Sequence, residues 1–233
     1  LTGGTGTDIF NIVYNATDTG RISGTIDDNG GTNDEINLSG VVPTNAGANV
    51  TVNLETSRIE TDDRTLVGVF TNNIDRFVGT GDSADKLIGP NAGGTWEIGG
   101  VGGATDDIND GTINGVEFED FANLTGGTGV DRFTLAGGSL DGTLDGGAGS
   151  DTLVGDNNGN IFNVTGDGEG NVTDDDNPFP DRVNPFTGIE NLTGGTGTDI
   201  FNIVYNATDT GRISGTIDDN GGTNDEINLS GVV

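Results

Sequence analysis

The sequence predicts an all-β protein, a parallel β-solenoid of tandem repeats with roughly 20 residues per coil. Three observations predict it. Residues 1–42 recur letter for letter as residues 192–233, at an offset of 191. Short runs of Val, Ile, Leu and Phe alternate with polar residues, and Gly, Asn and Asp stand between the runs. Two alike strand starts, Asp131 and Asp151, lie 20 residues apart, a natural length for one coil.

The duplication sets the organisation. Residues 1–191 form one full period and residues 192–233 open the next. Inside the period, three segments read alike: FTNNIDRFVGTGDSADKLIG from Phe70, FEDFANLTGGTGVDRFTLAG from Phe118 and FTGIENLTGGTGTDIFNIV from Phe186. They divide the chain into sub-repeats of approximately 34–84, 85–150 and 151–224. The segments 93–100 and 159–166 also align, so Trp96 takes the place of Phe162 and Ile98 that of Val164. These positions read as core. Residues 174–185, which hold three of the five prolines, read as a protruding loop.

Each strand shows a period of two. Val50, Val52 and Leu54 share one face, as do Ile22 and Ile26, and Phe10, Ile12 and Tyr14. Gly and Asn supply the left-handed backbone that tight corners require. Helix formers never cluster, and glycine interrupts every window of helical length. With ~4.8 Å between stacked strands, a period of nine or ten coils would span ~45 Å. Such a stack buries a thin continuous apolar stripe, which suits a chain only 30% hydrophobic.

Composition excludes several classes. The net charge is −30, and because the 42-residue copy carries six acids and one base, a single period holds −25. Nucleic acid and anionic membrane are therefore not expected as partners. No run of apolar residues is long enough for membrane insertion. There is no Cys, so no disulfide framework exists. Met is absent too, as expected of an internal or processed piece, and the chain is expected to continue beyond Val233 as PTNAGANV. Without His, and with only Lys86 and seven Arg among its cations, the chain is not expected to be an enzyme. The close acids Glu117, Glu119 and Asp120 leave a carbohydrate-active β-helix as a minor alternative.

Four segments fit the nonapeptide G-G-x-G-x-D-x-U-x, where U is large and apolar: 3–11, 126–134, 146–154 and 194–202. Here the chain resembles the repeats-in-toxin proteins, and also the giant bacterial surface proteins built from degenerate strand repeats like IENLTGGTGTDIF. The resemblance implies a β-roll or β-helix, secretion to the extracellular space or bacterial cell surface, and adhesion or surface coating. It also implies Ca²⁺ at the motif aspartates Asp8, Asp131, Asp151 and Asp199. Asp34 and its copy Asp225 stand in a version that has lost the first and third glycines. Calcium takes six to eight oxygens, and glycine lets turn carbonyls converge on it. The alternative reading makes Gly-Gly-x-Gly a tight corner and the aspartate a cap on the next strand. Asp27, Asp28 and Asp34, the group 106, 107 and 110, and residues 174–176 form acidic clusters, each read as a solvated loop face with loose Ca²⁺ binding as the alternative.

The duplication points to a structural repeat of an extracellular bacterial filament, matrix or adhesin stalk, with copies of itself as partners. A calcium-dependent adhesin module stiffened by Ca²⁺ is the alternative. Surface glycans are possible partners. The Asn-x-Thr sequons at Asn123 and Asn191 occupy equivalent places before a leucine, which suggests stacked asparagines as well as glycan sites.

Overall fold

The computed structural model describes residues 1–15, 21–42, 49–62, 64–71, 73–100, 108–174 and 181–230. Among them there are 22 strands and no helix, so none is long and apolar enough to cross a membrane. In chain order the first six are β1 (Ile9–Asn11), β2 (Ile22–Ile26), β3 (Glu35–Asn37), β4 (Val50–Asn53), β5 (Arg58–Thr61) and β6 (Arg64–Phe70). Then come β7 (Arg76–Val78), β8 (Lys86–Ile88), β9 (Thr95–Ile98), β10 (Gly111–Ile113), β11 (Val116–Glu119) and β12 (Asn123–Thr125). They are followed by β13 (Arg132–Leu135), β14 (Leu144–Asp145), β15 (Thr152–Val154), β16 (Asn160–Gly166) and β17 (Glu169–Asp174). The last are β18 (Val183–Thr187), β19 (Asn191–Thr193), β20 (Asp199–Val204), β21 (Ile217–Asp218) and β22 (Glu226–Ser230).

These strands build two large sheets. One has ten strands in the order β1-β3-β7-β11-β10-β9-β13-β15-β19-β21. The other has twelve, β2-β6-β5-β4-β8-β12-β14-β18-β17-β16-β20-β22. The inward residues of both form one apolar core, with Phe77, Trp96, Phe118, Phe133 and Leu192 from the first sheet and Ile26, Val52, Leu124, Phe162 and Phe186 from the second. The alternation read from the sequence places these side chains: β4, for example, alternates buried and half-buried positions.

The expectation of a parallel β-solenoid with regular coils of about 20 residues is corrected by this architecture. All-β it is, but both sheets are mixed. Parallel pairs dominate, yet three antiparallel meanders interrupt them: β4-β5-β6, β9-β10-β11 and β16-β17-β18. One meander lies in each of the three sub-repeats. The chain passes from sheet to sheet and, at each meander, lays down three strands in one sheet before crossing. In each case the chain runs ahead, turns back, and leaves its third strand beside the earlier layer, as β6 lies beside β2. Spacing between parallel partners is accordingly uneven. It is 20 residues for Arg132 and Thr152, 26 for Ile9 and Glu35, and 41 for Glu35 and Arg76.

The reversals have local causes. Between β10 and β11 stands the pair Asn114-Gly115, with φ of 50° and 85°. Positive φ at both central residues matches the twist of a two-residue hairpin. Gly111 faces Phe118 across this hairpin, where a Cβ would lie 2.7 Å from the ring. Gly170 faces Phe186 in the third meander at 2.8 Å. A glycine thus admits the anchoring phenylalanine in both. In the stretch read as a protruding loop, Asp174 ends β17 and β18 begins at Val183, while 175–180 lie outside the described residues.

The two identical segments keep the same internal register. Ile9, Phe10 and Asn11 pair with Glu35, Ile36 and Asn37, and Ile200, Phe201 and Asn202 pair with Glu226, Ile227 and Asn228. Yet β1 and β3 belong to the ten-stranded sheet and β20 and β22 to the twelve-stranded one. From β1 to β20 the chain crosses between sheets thirteen times, an odd number, so the second copy starts on the opposite side. Thirteen crossings make six and a half circuits, fewer than the nine or ten coils expected for the period.

Candidate functional site: a buried aspartate seam

The motif aspartates lie where one layer of the chain stacks on the next. Their carboxylate oxygens serve two kinds of backbone donor. One oxygen receives the N–H of the glycine turn that precedes it: Gly4 donates to Asp8 at 2.7 Å, Gly127 to Asp131 at 3.1 Å and Gly195 to Asp199 at 2.8 Å. The other oxygen can receive a strand-start N–H from the adjacent layer. Asp131 N–H donates to Asp151 Oδ1 at 2.7 Å, and Asn160 N–H to Asp199 Oδ1 at 3.0 Å. In the same way Asp8 N–H donates to Asp34 Oδ1, and Asp199 N–H to Asp225 Oδ1, both at 2.8 Å. The seam continues through groups that the motif does not mark. Asp34 N–H donates to Asp75 Oδ2 at 3.0 Å, and Asp151 N–H to Glu190 Oε2 at 2.8 Å. Asp85, outside any nonapeptide, accepts from Val50 N–H and from both the amide and hydroxyl of Thr80. Capping is therefore a role these aspartates perform.

Capping does not account for every oxygen. Asp8, Asp28 and Asp34 each bring a carboxylate oxygen to within 4.8 Å of the others. Asp28 and Asp34 are fully buried and Asp8 is half-buried. Asp28 Oδ2 accepts the N–H groups of Gly30 and Gly31, both at 2.8 Å. Asp28 Oδ1 and Asp34 Oδ2 are buried without any hydrogen-bond donor. Among the described residues no Lys or Arg pairs with the three. Buried acceptors without partners are costly, so this arrangement calls for either a proton or a cation. Burial, before the neighbouring charges of Asp28 and Asp75, holds the Asp34 carboxyl above its ordinary pKa, against the lowering effect of the Asp8 N–H.

The pocket between these oxygens is kept open by glycine. A Cβ on Gly3 would lie 2.8 Å from Asp8 Oδ2, 3.0 Å from the Asp28 carbonyl and 3.1 Å from Asp28 Oδ1. One on Gly31 would lie 2.1 Å from the Gly6 carbonyl and 2.7 Å from Asp34 Oδ2. The donors are all oxygen, three carboxylates and nearby carbonyls. That set is the kind a hard divalent cation takes.

The other aspartates named from the sequence fall out differently. Asp131 and Asp151 are both buried and linked, with Asp131 also accepting from Trp96 Nε1 at 3.1 Å. Asp151 Oδ2 has no donor. Its carboxyl is pushed up to about 6 by burial first, and then by the charges of Asp131, Glu190 and Asp145. Asp199 is buried and fully used, accepting from Asn160, its side chain included, and from Gly195. Asp225 is half-buried and Asp219, the counterpart of Asp28, is exposed. The same letters thus close into a pocket only where β7 covers β3. The open counterpart lies at β22, the last strand of its sheet.

Asp28 is buried and forms a wall of the pocket, not part of a solvated loop face. The positions 106 and 107 lie outside the described residues, and Asp110 is buried. Glu119 forms an ion pair with Arg76, which also approaches Glu35 at 3.8 Å. Asn123 and Asn191 do hold equivalent places, but each bridges backbone rather than stacking on another asparagine. Asn123 donates to the Ser83 and Asp85 carbonyls and accepts from Thr143 N–H, and Asn191 donates to the Ser150 hydroxyl and Asp151 carbonyl and accepts from Thr216 N–H.

Comparison of the chain with protein-family models, curated proteins and solved structures returns no match.

Proposed function

We propose that this chain is a structural repeat of an extracellular bacterial filament, matrix or adhesin stalk. One observation carries the reading: identical 42-residue segments, 191 residues apart, take the same internal register at opposite ends of one continuous core. A fold that returns to its own starting geometry extends by addition, each period adding length without a new interface to design. The strong negative charge and lack of cysteine fit a secreted, soluble repeat, and the Gly-Gly-x-Gly-x-Asp segments supply the likeness to bacterial surface proteins. Proteins carrying one, two and three periods test it by small-angle scattering. The maximum dimension is expected to grow by roughly 45 Å per period, from about ten strand spacings. Growth as the cube root of mass, the mark of a globule, would sink the proposal.

A second reading rests on a separate observation, the donorless oxygens of Asp28 and Asp34. A divalent cation held by Asp8, Asp28 and Asp34 would supply the positive charge this pocket lacks and tie the first layers together. At a Ca²⁺ concentration 100 times Kd the stabilisation is about 2.7 kcal/mol, or roughly 5–10 °C in Tm for a chain of this size. Melting in CaCl₂ and in EGTA measures it. Asp28→Asn is expected to abolish the difference. Equal melting temperatures in the two buffers would refute the cation and leave a protonated pocket.

A further inference from the structure

Along one side of the core, where the chain passes from the twelve-stranded sheet to the ten-stranded one, the wall is interrupted. The crossings from β6 to β7 and from β8 to β9 both close that side. Between them stand two hairpin turns, residues 54–57 joining β4 to β5 and Asn114-Gly115 joining β10 to β11. Each turn folds back into its own sheet, so no described segment bridges the sheets over roughly two strand spacings, ~10 Å. The gap is the joint effect of two meanders that face each other from opposite sheets. It is bounded by β6 and β7 on one hand and by β8 and β9 on the other, away from both ends of either sheet. Hydrogen bonds tie the four pieces into a closed frame. Phe70 N–H donates to the Ser57 carbonyl at 3.0 Å, Asn91 N–H to Glu55 Oε2 at 2.8 Å, Asn114 N–H to the Thr95 carbonyl at 2.9 Å and Glu117 N–H to the Asp75 carbonyl at 2.8 Å.

Inside the frame lies a cavity of about 340 Å³. Phe70, Ile74, Phe77 and Ile113 line it and are nearly fully buried, and half-buried Leu54, Pro90 and Val116 complete its apolar wall. Phe70 and Phe77 meet edge to face, with centroids 5.0 Å apart. In a chain of net charge −30, none of the residues lining this cavity is charged. The polar groups at its edge are Thr71 and Asn114. Thr71 Oγ1 donates to Asp27 Oδ1 at 3.4 Å, and Asn114 Oδ1 accepts the Thr95 N–H at 2.9 Å. The amide hydrogens of Asn114 have no acceptor among the described residues.

We propose that this cavity is a binding site for a small uncharged aromatic molecule of two rings, carrying a hydrogen-bond acceptor that meets the Asn114 amide at the mouth. Volume sets the size of the ligand. An apolar cavity of about 150 Å³ stays dry and takes benzene, and this one holds roughly twice that. The lining sets the chemistry: Phe70 and Phe77 present ring edges and faces to a third ring. A charged ligand would give up its hydration and find no opposite charge in return. An apolar cleft with few polar groups at one end, held by a hydrogen-bonded frame, is the usual construction of a small-molecule site.

Calorimetric titration of the whole chain with 2-naphthol, a two-ring phenol uncharged at neutral pH, tests it. Saturable one-to-one binding is expected. 2-Naphthoate, the same rings with a carboxylate, is expected to bind more weakly by roughly tenfold or more. Val116→Trp fills the cavity with an indole and is expected to abolish binding. Val130→Trp, at a corner 65% exposed and outside the lining, is expected to leave it unchanged. Asn114→Asp keeps an oxygen for the Thr95 N–H but removes the amide hydrogens, and is expected to weaken binding about fivefold, the worth of one hydrogen bond. Absence of saturable binding by the folded wild type overturns the inference. Undiminished binding to folded Val116→Trp does so too. A second copy seated on the mouth would appear as a dimer that takes up no naphthol, which is likewise a refutation. Equal affinity for naphthol and naphthoate also overturns the proposal, and that comparison is made on the wild type alone, whatever the stability of the variants.

Discussion

Replacing Trp96 with alanine is expected to cost about 3–5 kcal/mol, the range for truncating a fully buried large aromatic. Trp96 is the largest fully buried side chain. Its ring stacks on Phe133 with centroids 5.2 Å apart and meets Phe118 edge-on at 6.2 Å. Strand β13, adjacent to β9, and strand β11, beyond β10, are thereby joined through one side chain. Glycines leave room for it: a Cβ on Gly89 would lie 2.7 Å from the indole, and one on Gly94 2.9 Å from Nε1. Removal opens a cavity that neighbouring glycines cannot fill. It also deprives buried Asp131 of the indole N–H donor. Urea unfolding followed by circular dichroism measures the change. Trp96→Phe, which keeps a ring but not the donor, is expected to lose less than half as much. A loss under about 1 kcal/mol for the alanine variant would mean that the two sheets do not depend on this aromatic stack.

The second large effect is on pH dependence, through Asp151. Its folded pKa of about 6 lies above the ordinary aspartate value of 3.8. Between those two values the folded protein holds a proton that the unfolded chain has released. The stabilisation is therefore complete below the unfolded value and is lost as pH rises through about 6. Asp34 and Asp85 are raised too, chiefly by burial, and act in the same direction. Asp151→Asn keeps an oxygen for the Asp131 N–H and removes the buried charge. It is expected to stabilise the protein at pH 7.5 on the order of 2 kcal/mol, with the advantage vanishing near pH 4. Urea midpoints of both proteins across that range give the comparison. A variant less stable than the wild type at pH 7.5 would show that the carboxylate is engaged by something that compensates its charge.

Much of the fold was legible because burial here follows simple alternation. Val50, Val52, Trp96, Ile98, Phe162 and Val164 all point inward, as their spacing requires. The equivalence of Phe70, Phe118 and Phe186 also has a structural meaning: each closes, or nearly closes, the last strand of a meander. The meanders themselves were not foreseen, although Asn114-Gly115 is a strong hairpin signal. The middle strands gave little help, since β17 (EGNVTD) has one apolar residue and β5 (RIET) has one. Their place is fixed by their neighbours and not by their own pattern. At the site, Asp8 and Asp34 were marked by the nonapeptide, but Asp28, Asp75 and Glu190 were not. A carboxylate becomes a pocket wall only when a layer 39 or 41 residues away covers it, as Glu190 meets Asp151 and Asp75 meets Asp34. No local window contains that information.

The meanders also bear on the balance between the two flanks of a long chain. Each puts three strands on one side of the core where the other side has one, a surplus of roughly 10 Å. In this chain the surplus falls on the twelve-stranded side, then the ten-stranded, then the twelve-stranded again. By strand count a single period is thus longer along its twelve-stranded flank. The next identical copy begins on the opposite flank, so a following period would place its surplus on the other side. Across two successive periods the strand surplus would thus be shared evenly between the two flanks.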